Sequence, residues 1–87
     1  MATVIQDDEA KRNISANVKR LLAEHIPPWS QADLARATGE SEMRISFLAR
    51  GVNLPSAALL ARVAEALGCT SDQLLSPLMP ELSEKSG

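Results

Sequence analysis

The stretch GESEMRISFLARG, residues 39 to 51, decides the fold. It is bounded by Gly39 and Gly51, and Ser41 stands two residues after the first glycine. Glycine readily adopts the left-handed conformation that stops a helix, and a serine oxygen accepts a hydrogen bond from a free backbone N–H group at a helix start. The stretch therefore predicts a helix that is capped by Ser41, runs to about Arg50 and stops at Gly51.

The residues just before this stretch predict another short helix, from about Gln31 to Thr38. Ser30 stands at its N-cap position, and Asp33 follows three residues later, near the positive end of the helix dipole. Ala35 is small enough to let the next helix approach, and Leu34 is expected to pack between the two helices. A capped helix, a glycine turn and a second capped helix together predict a helix-turn-helix at about residues 30 to 51.

Three more helices complete the predicted domain. Apolar residues recur at helical spacing after Glu9, and the segment HIPPW ends this first helix near Glu24. Ser56 and Thr70 are predicted caps of the last two helices, which Gly68 and Pro77 terminate. The fold class is therefore all-α, a compact five-helix domain over residues 9 to 80, with flexible tails at residues 1 to 8 and 81 to 87.

Composition and charge narrow the class of protein. Of the 87 residues, 45% are hydrophobic and only 2% aromatic, which suits packed helices, and no apolar run approaches the length of a membrane span. The net charge is −2, but the segment 10 to 80 holds eight bases against six acids. The excess acid lies near the ends, so the expected folded body is mildly basic and permits DNA binding. We expect a soluble, cytoplasmic protein.

The pattern of the helix-turn-helix and the helices after it resembles the Cro and phage-repressor (lambda repressor-like) DNA-binding domains. The resemblance covers about residues 14 to 75. The matching positions are Ser30, Gln31, Leu34, Ala35, Gly39, Ser41, Ile45, Ser46, Gly51, Pro55, Ser56, Leu60, Ala64, Ala66, Leu67, Leu74 and Leu75. The resemblance implies a five-helix domain that binds double-stranded operator DNA as a homodimer, with helix 3 in the major groove.

The resemblance also implies DNA-contacting residues. Gln31 and Ser41 would bind phosphates, and Arg50 and Asn53 would contact the DNA backbone. The side chains entering the groove would be Glu42, Met43, Arg44, Ser46 and Phe47. Of these, Arg44 suits either a guanine or a phosphate, and for Glu42 we favour stabilisation of the helix dipole over a cytosine contact.

Two departures from that family stand out. The segment HIPPW makes the first turn about two residues longer than usual. Many members pair an arginine late in helix 1 with a glutamate late in helix 3, whereas the matching positions here are Leu22 and Ala49. An apolar contact is expected in place of the ion pair, and such a replacement is often neutral for stability.

Helical geometry predicts the inner face of helix 3, which consists of Ile45, Leu48, Ala49 and Val52. Met43 and Phe47 point outward and lie one turn apart. Three interpretations of the outward pair remain open. The two side chains could contact thymine methyl groups. They could bind a protein partner such as a toxin, an anti-repressor or another subunit. They could also be exposed incidentally.

The segment LSPLMPEL follows helix 5 and is apolar, although little core remains to cover it. We predict that it forms a dimer contact, which the resemblance also places near this end of the chain. The alternative is that the segment folds back over helix 1. The residues assigned to the contact are Leu75, Leu78, Met79 and Leu82.

The remaining chemically notable residues predict structural roles. His25 is a lone histidine, Cys69 lacks neighbours at metal-ligand spacing, and Trp29 is expected to cover the junction of helices 1 and 2. No nucleophile with its base and no phosphate loop is recognisable. The sequence therefore predicts a repressor-like DNA-binding regulator that is not an enzyme and needs no metal or cofactor. The alternative is a protein-interaction module of the same fold, such as an antitoxin.

Overall fold

The computed structural model describes residues 6 to 77, and within this range it contains five α-helices and no strand. The all-α, five-helix prediction is confirmed. The middle helices begin and end where their serine caps and glycines predict. The helices are α1 (Asp7–Glu24), α2 (Gln31–Thr38), α3 (Glu42–Arg50), α4 (Ala57–Leu67) and α5 (Ser71–Leu75).

Helix α1 begins at Asp7 rather than at Glu9, so Asp7 and Asp8 are helical and not part of a tail. Acids fill the first turn, where the positive end of the helix dipole stabilises them. Buried apolar residues start only at Ala10, which is why periodicity misses this turn. The rest of the predicted tails, residues 1 to 5 and 81 to 87, lies outside the described residues.

The starts of α2 to α5 follow one rule. At each, a serine or threonine side chain accepts a hydrogen bond from the backbone N–H three residues later. The caps are Ser30, Ser41, Ser56 and Thr70. Gly39 and Gly51 end α2 and α3 with φ angles of 76° and 71°, a conformation that other residues rarely adopt. Short-range chemistry thus defines both helices of the helix-turn-helix.

One apolar core joins the helices. It consists of Ile14, Val18, Leu22, Leu34, Ala35, Ile45, Leu48, Ala49, Leu59, Leu60, Val63, Ala64 and Leu74. Leu22 and Ala49 are both buried in it, as the departure from the arginine–glutamate pair led us to expect. Trp29 is half-buried against the same core and stacks on His25, with ring centroids 4.0 Å apart. Within the HIPPW loop, Trp29 therefore covers the α1–α2 junction.

Polar groups hold α1 against its two neighbours. The buried Ser15 donates a hydrogen bond to the carbonyl of Ala49 at the end of α3, at 2.5 Å. Asn17 is 4% exposed, and its amide donates to the carbonyls of Leu74 and Ser76 at 3.0 and 2.8 Å. These carbonyls lie at the end of α5, where no intrahelical donor remains for them. Helix α1 therefore fixes the position of α3 and α5.

None of the described helices has the length and hydropathy that crossing a membrane requires.

Candidate nucleic-acid interface

Helix α3 presents two different faces. Ile45, Leu48 and Ala49 point into the core and are at most 3% exposed. On the opposite side Met43 is 66% exposed, and Arg44 is exposed beside it. The structure agrees with the prediction for Ile45, Leu48 and Met43. An exposed helix face that carries arginine and large apolar side chains is free to meet a ligand.

The prediction for Val52 is wrong. Helical geometry assigned it to the inner face, but 46% of its surface is exposed. The reason is the left-handed conformation of Gly51, which ends α3 and turns the chain out of the helix. Side-chain directions extrapolated from α3 therefore do not apply beyond Arg50.

Phe47 also differs from the prediction, which placed it in an exposed pair with Met43, because it is half-buried. It lines an open cleft of about 450 Å³ between α3, the α3–α4 loop and the start of α4. Met43, Leu54 and Pro55 line the same cleft. Met43 and Phe47 are therefore neighbours, as predicted, but they lie on a concave surface. The Arg50 guanidinium lies over the Phe47 ring, 5.5 Å from its centroid, within the range of a cation–π interaction.

The other predicted DNA-contacting residues lie around this surface. Gln31 is the first residue of α2, and Ser41 is the N-cap of α3, where its hydroxyl accepts from the Arg44 N–H at 3.1 Å. Both helix starts present backbone N–H groups, which favour phosphate. Of the remainder, Ser46 is half-buried, whereas Glu42, Arg50 and Asn53 are exposed.

Sequence reasoning missed Glu40 in the turn between α2 and α3. Its side chain is only 14% exposed and forms ion pairs with Arg44 of α3 and Arg62 of α4. Glu40 stands four residues before Arg44, a spacing that predicts an ion pair within a helix, but Glu40 lies in the turn before the Ser41 cap. Nothing in the local sequence indicates Arg62, which is 22 residues away and reaches Glu40 through the packing of α4 on α2.

The predicted dimer contact is described only in part. Leu75 is half-buried against the core of its own chain. Leu78, Met79 and Leu82 lie outside the described residues.

The described residues hold no cluster of three or more histidine, cysteine or acidic side chains suited to a metal. Cys69 is half-buried beside the core, and burial raises the pKa of its thiol, an effect that the charge of Arg20 partly opposes. A raised pKa keeps the thiol protonated and weakly reactive.

Comparison with known proteins identifies the family of this chain. A helix-turn-helix family model matches residues 29 to 74, which is more than half of the chain. The chain belongs to this family. Membership of this helix-turn-helix family supports a DNA-binding regulator and points away from an enzyme.

A solved structure shares the fold. It is described as the hypothetical transcription factor NHTF from Neisseria, and the two chains are 23% identical with a TM-score of 0.78. The similarity covers 100% of this chain and 96% of that chain. No curated protein gives a significant match.

Proposed function

We propose that this protein is a repressor of the Cro and phage-repressor type, which acts in the cytoplasm and binds a near-palindromic operator as a homodimer. The carrying observation is the outer face of α3, which leaves Met43 and Arg44 exposed while the inner face is buried. In this proposal helices α1 to α5 form the DNA-binding unit, and two copies of α3 enter successive major grooves about 34 Å apart.

Contacts to the DNA backbone orient the domain. Gln31 and Ser41 stand at the starts of α2 and α3, where free backbone N–H groups already attract phosphate. Arg50 and Asn53 flank the end of α3 and are exposed. Such contacts fix the register of a protein on the duplex but carry no sequence information.

Base recognition falls to the middle of the outer face. The fork of the Arg44 guanidinium matches O6 and N7 of guanine. Ser46 reaches the groove from the flank, and Glu42 stabilises the dipole in the first turn of α3. Met43 and Phe47 line one concave surface, and their apolar side chains suit thymine methyl groups.

The homodimer uses the end of α5 and the segment that follows it. Leu75 is the last residue of α5, and Leu78, Met79 and Leu82 follow it in the sequence. Two copies that pair through these residues would give the two-fold symmetry that a near-palindromic site requires.

The second candidate is a protein-interaction module, such as an antitoxin or the target of an anti-repressor. The cleft favours it, because Met43 and Phe47 share a concave surface with Leu54 and Pro55. Concave sites that combine apolar side chains with polar groups, here Asn53 among them, also bind peptide side chains. Leu54 is 44% exposed, so the surface extends beyond α3 itself.

Selection of binding sites from random duplex DNA tests the proposal. The wild type, the double variant Met43→Ala/Phe47→Ala and the control Ile26→Ala are compared. Ile26 is 91% exposed in the α1–α2 loop, so its truncation also removes an exposed apolar side chain, but away from α3. We expect the wild type and the control to enrich the same near-palindrome, and the double variant to lose preference at A·T positions.

Two other results have clear meanings. No enrichment by a well-folded wild type would contradict operator binding and favour the protein-partner candidate. Enrichment of a single half-site would retain DNA recognition by α3 but contradict the homodimer.

A further inference from the structure

Glu40 occupies an unusual position for an acid in a DNA-binding surface. It lies in the turn between α2 and α3, directly before the Ser41 cap, and its side chain is 14% exposed. An acid next to DNA repels phosphate, so a free Glu40 would oppose binding. Here two arginines accompany the carboxylate, and the group of three carries a net positive charge.

The two oxygens of Glu40 have different partners. Oε2 accepts a hydrogen bond from Nη2 of Arg62, which comes from α4. Oε1 faces Nε of Arg44 at 3.6 Å. Because Arg62 comes from another helix, its ion pair ties the carboxylate to α4, and Oε1 faces Arg44 of α3.

This arrangement has a consequence for Arg44. Its Nε side faces Glu40, and its side chain remains 63% exposed. The two terminal amino groups of the guanidinium are then the donors available to a ligand. Two donors side by side are what the O6 and N7 acceptors of guanine require. A guanidinium held in direction before binding also loses less rotational freedom on contact.

We propose that Glu40 is a positioning residue that sets base specificity by directing Arg44, with Arg62 holding Glu40 in place. This inference rests on the proposed function, in which Arg44 reads a base. It adds two residues to the recognition apparatus that do not themselves touch a base. It also predicts that sequence preference depends on α4, which lies outside the helix-turn-helix.

The test compares charge-matched variants. Glu40→Gln and Glu24→Gln each remove one negative charge from an arginine–glutamate pair, and Glu24 pairs with Arg20 on α1 at 3.0 Å. Any gain in attraction to phosphate acts on both duplexes alike and cancels in the ratio of their affinities, so a loss of preference in Glu40→Gln alone reports the reading of the base. Arg44→Ala identifies the base pair that Arg44 reads, and urea unfolding establishes that each variant is folded.

The measurement is the affinity for the selected site and for the same site with that base pair replaced. A bidentate arginine–guanine contact gives the wild type a preference of roughly 5- to 150-fold. We expect Glu40→Gln to lower this preference at least about threefold at that one position, and Glu24→Gln to leave it unchanged. Arg62→Ala should reproduce the loss. In the Arg44→Ala background, Glu40→Gln should have no further effect.

The outcomes separate this inference from the proposed function. A wild type that selects no site overturns the proposed function and the inference with it. A wild type that selects a site which Glu40→Gln reads with undiminished preference overturns the inference alone. The same holds if Arg44→Ala weakens binding uniformly, because Arg44 would then contact a phosphate.

Discussion

On its inner face α3 buries Ile45 and Ala49 completely, whereas on its outer face Met43, which is also apolar, keeps 66% of its surface exposed. Apolar character alone therefore does not decide which of these side chains is buried. The difference comes from the direction in which each side chain leaves the helix, and from the contacts that α1 and α2 make with one side of α3.

The two faces of α3 contribute to different properties, folding stability and ligand contact. Side chains of the inner face contribute to the free energy of unfolding through the area they remove from water. Side chains of the outer face contribute little to folding and are available for a ligand. Substitutions on the two faces should therefore be distinguishable by measuring stability and DNA affinity in parallel.

The largest expected effect comes from truncating the inner face. Ile45→Ala should lower the free energy of unfolding by about 2–5 kcal/mol, because it removes buried methyl and methylene groups and leaves a cavity. Met43→Ala removes an exposed side chain of the same helix and should change stability by less than about 0.5 kcal/mol. Urea unfolding of both variants makes the comparison. Equal losses would mean that the outer face is packed and not free.

Much of this architecture could be predicted from the sequence because its determinants are local. Each of α2, α3 and α4 begins after a serine and ends before a glycine, and all three match their predicted bounds. The start of α1 could not be predicted from periodicity, since Asp7 and Asp8 are held by the helix dipole and bury nothing.

The outer surface of α3 was harder to predict, because it depends on contacts between distant residues. Helical geometry gave the outward direction of Met43. It missed the partial burial of Phe47, which depends on where the α3–α4 loop places Leu54 and Pro55. It also missed the link from Glu40 to Arg62, which exists only after α4 packs against α2.

A smaller effect is expected for Ser41, the N-cap residue of α3. Ser41→Ala removes the cap bond to the Arg44 N–H and should cost about 1 kcal/mol of stability. Thr70→Ala is the matched control, since Thr70 accepts a bond of the same length, 3.1 Å, from the Gln73 N–H at the start of α5. Thermal unfolding should show similar losses for the two variants.

DNA affinity should distinguish these two caps. Ser41→Ala should also weaken binding to the selected duplex, because the proposed phosphate contact of the hydroxyl is lost, whereas Thr70→Ala should not. Equal affinities of the two folded variants would remove Ser41 from the interface and confine it to the capping of α3.

The smallest expected effect is the pH dependence of the cap of α2, the helix that covers part of the inner face of α3. The Ser30 backbone N–H donates to Asp33 at 2.8 Å, and this hydrogen bond is the main cause that lowers the pKa of the carboxyl below its ordinary value. A group whose pKa is lower in the folded state stabilises that state above its unfolded pKa, about 3.9 for aspartate. The stabilisation is lost as the pH falls through the lower, folded pKa.

Asp33→Asn tests this effect, because asparagine keeps an acceptor oxygen but carries no charge. We expect the wild type to have the higher Tm between about pH 5 and 7, and the difference to shrink below about pH 4. The start of α5 provides a control. There the Gln73 side chain accepts from the backbone N–H of the N-cap residue Thr70, as Asp33 does from Ser30, and glutamine does not titrate. Gln73→Ala removes no ionisable group. The loss of Tm in this variant should therefore gain no pH dependence from position 73. A difference between wild type and Asp33→Asn that persists unchanged to pH 2.5 would show that the Asp33 charge does not stabilise α2, and that the oxygen acceptor alone forms the cap.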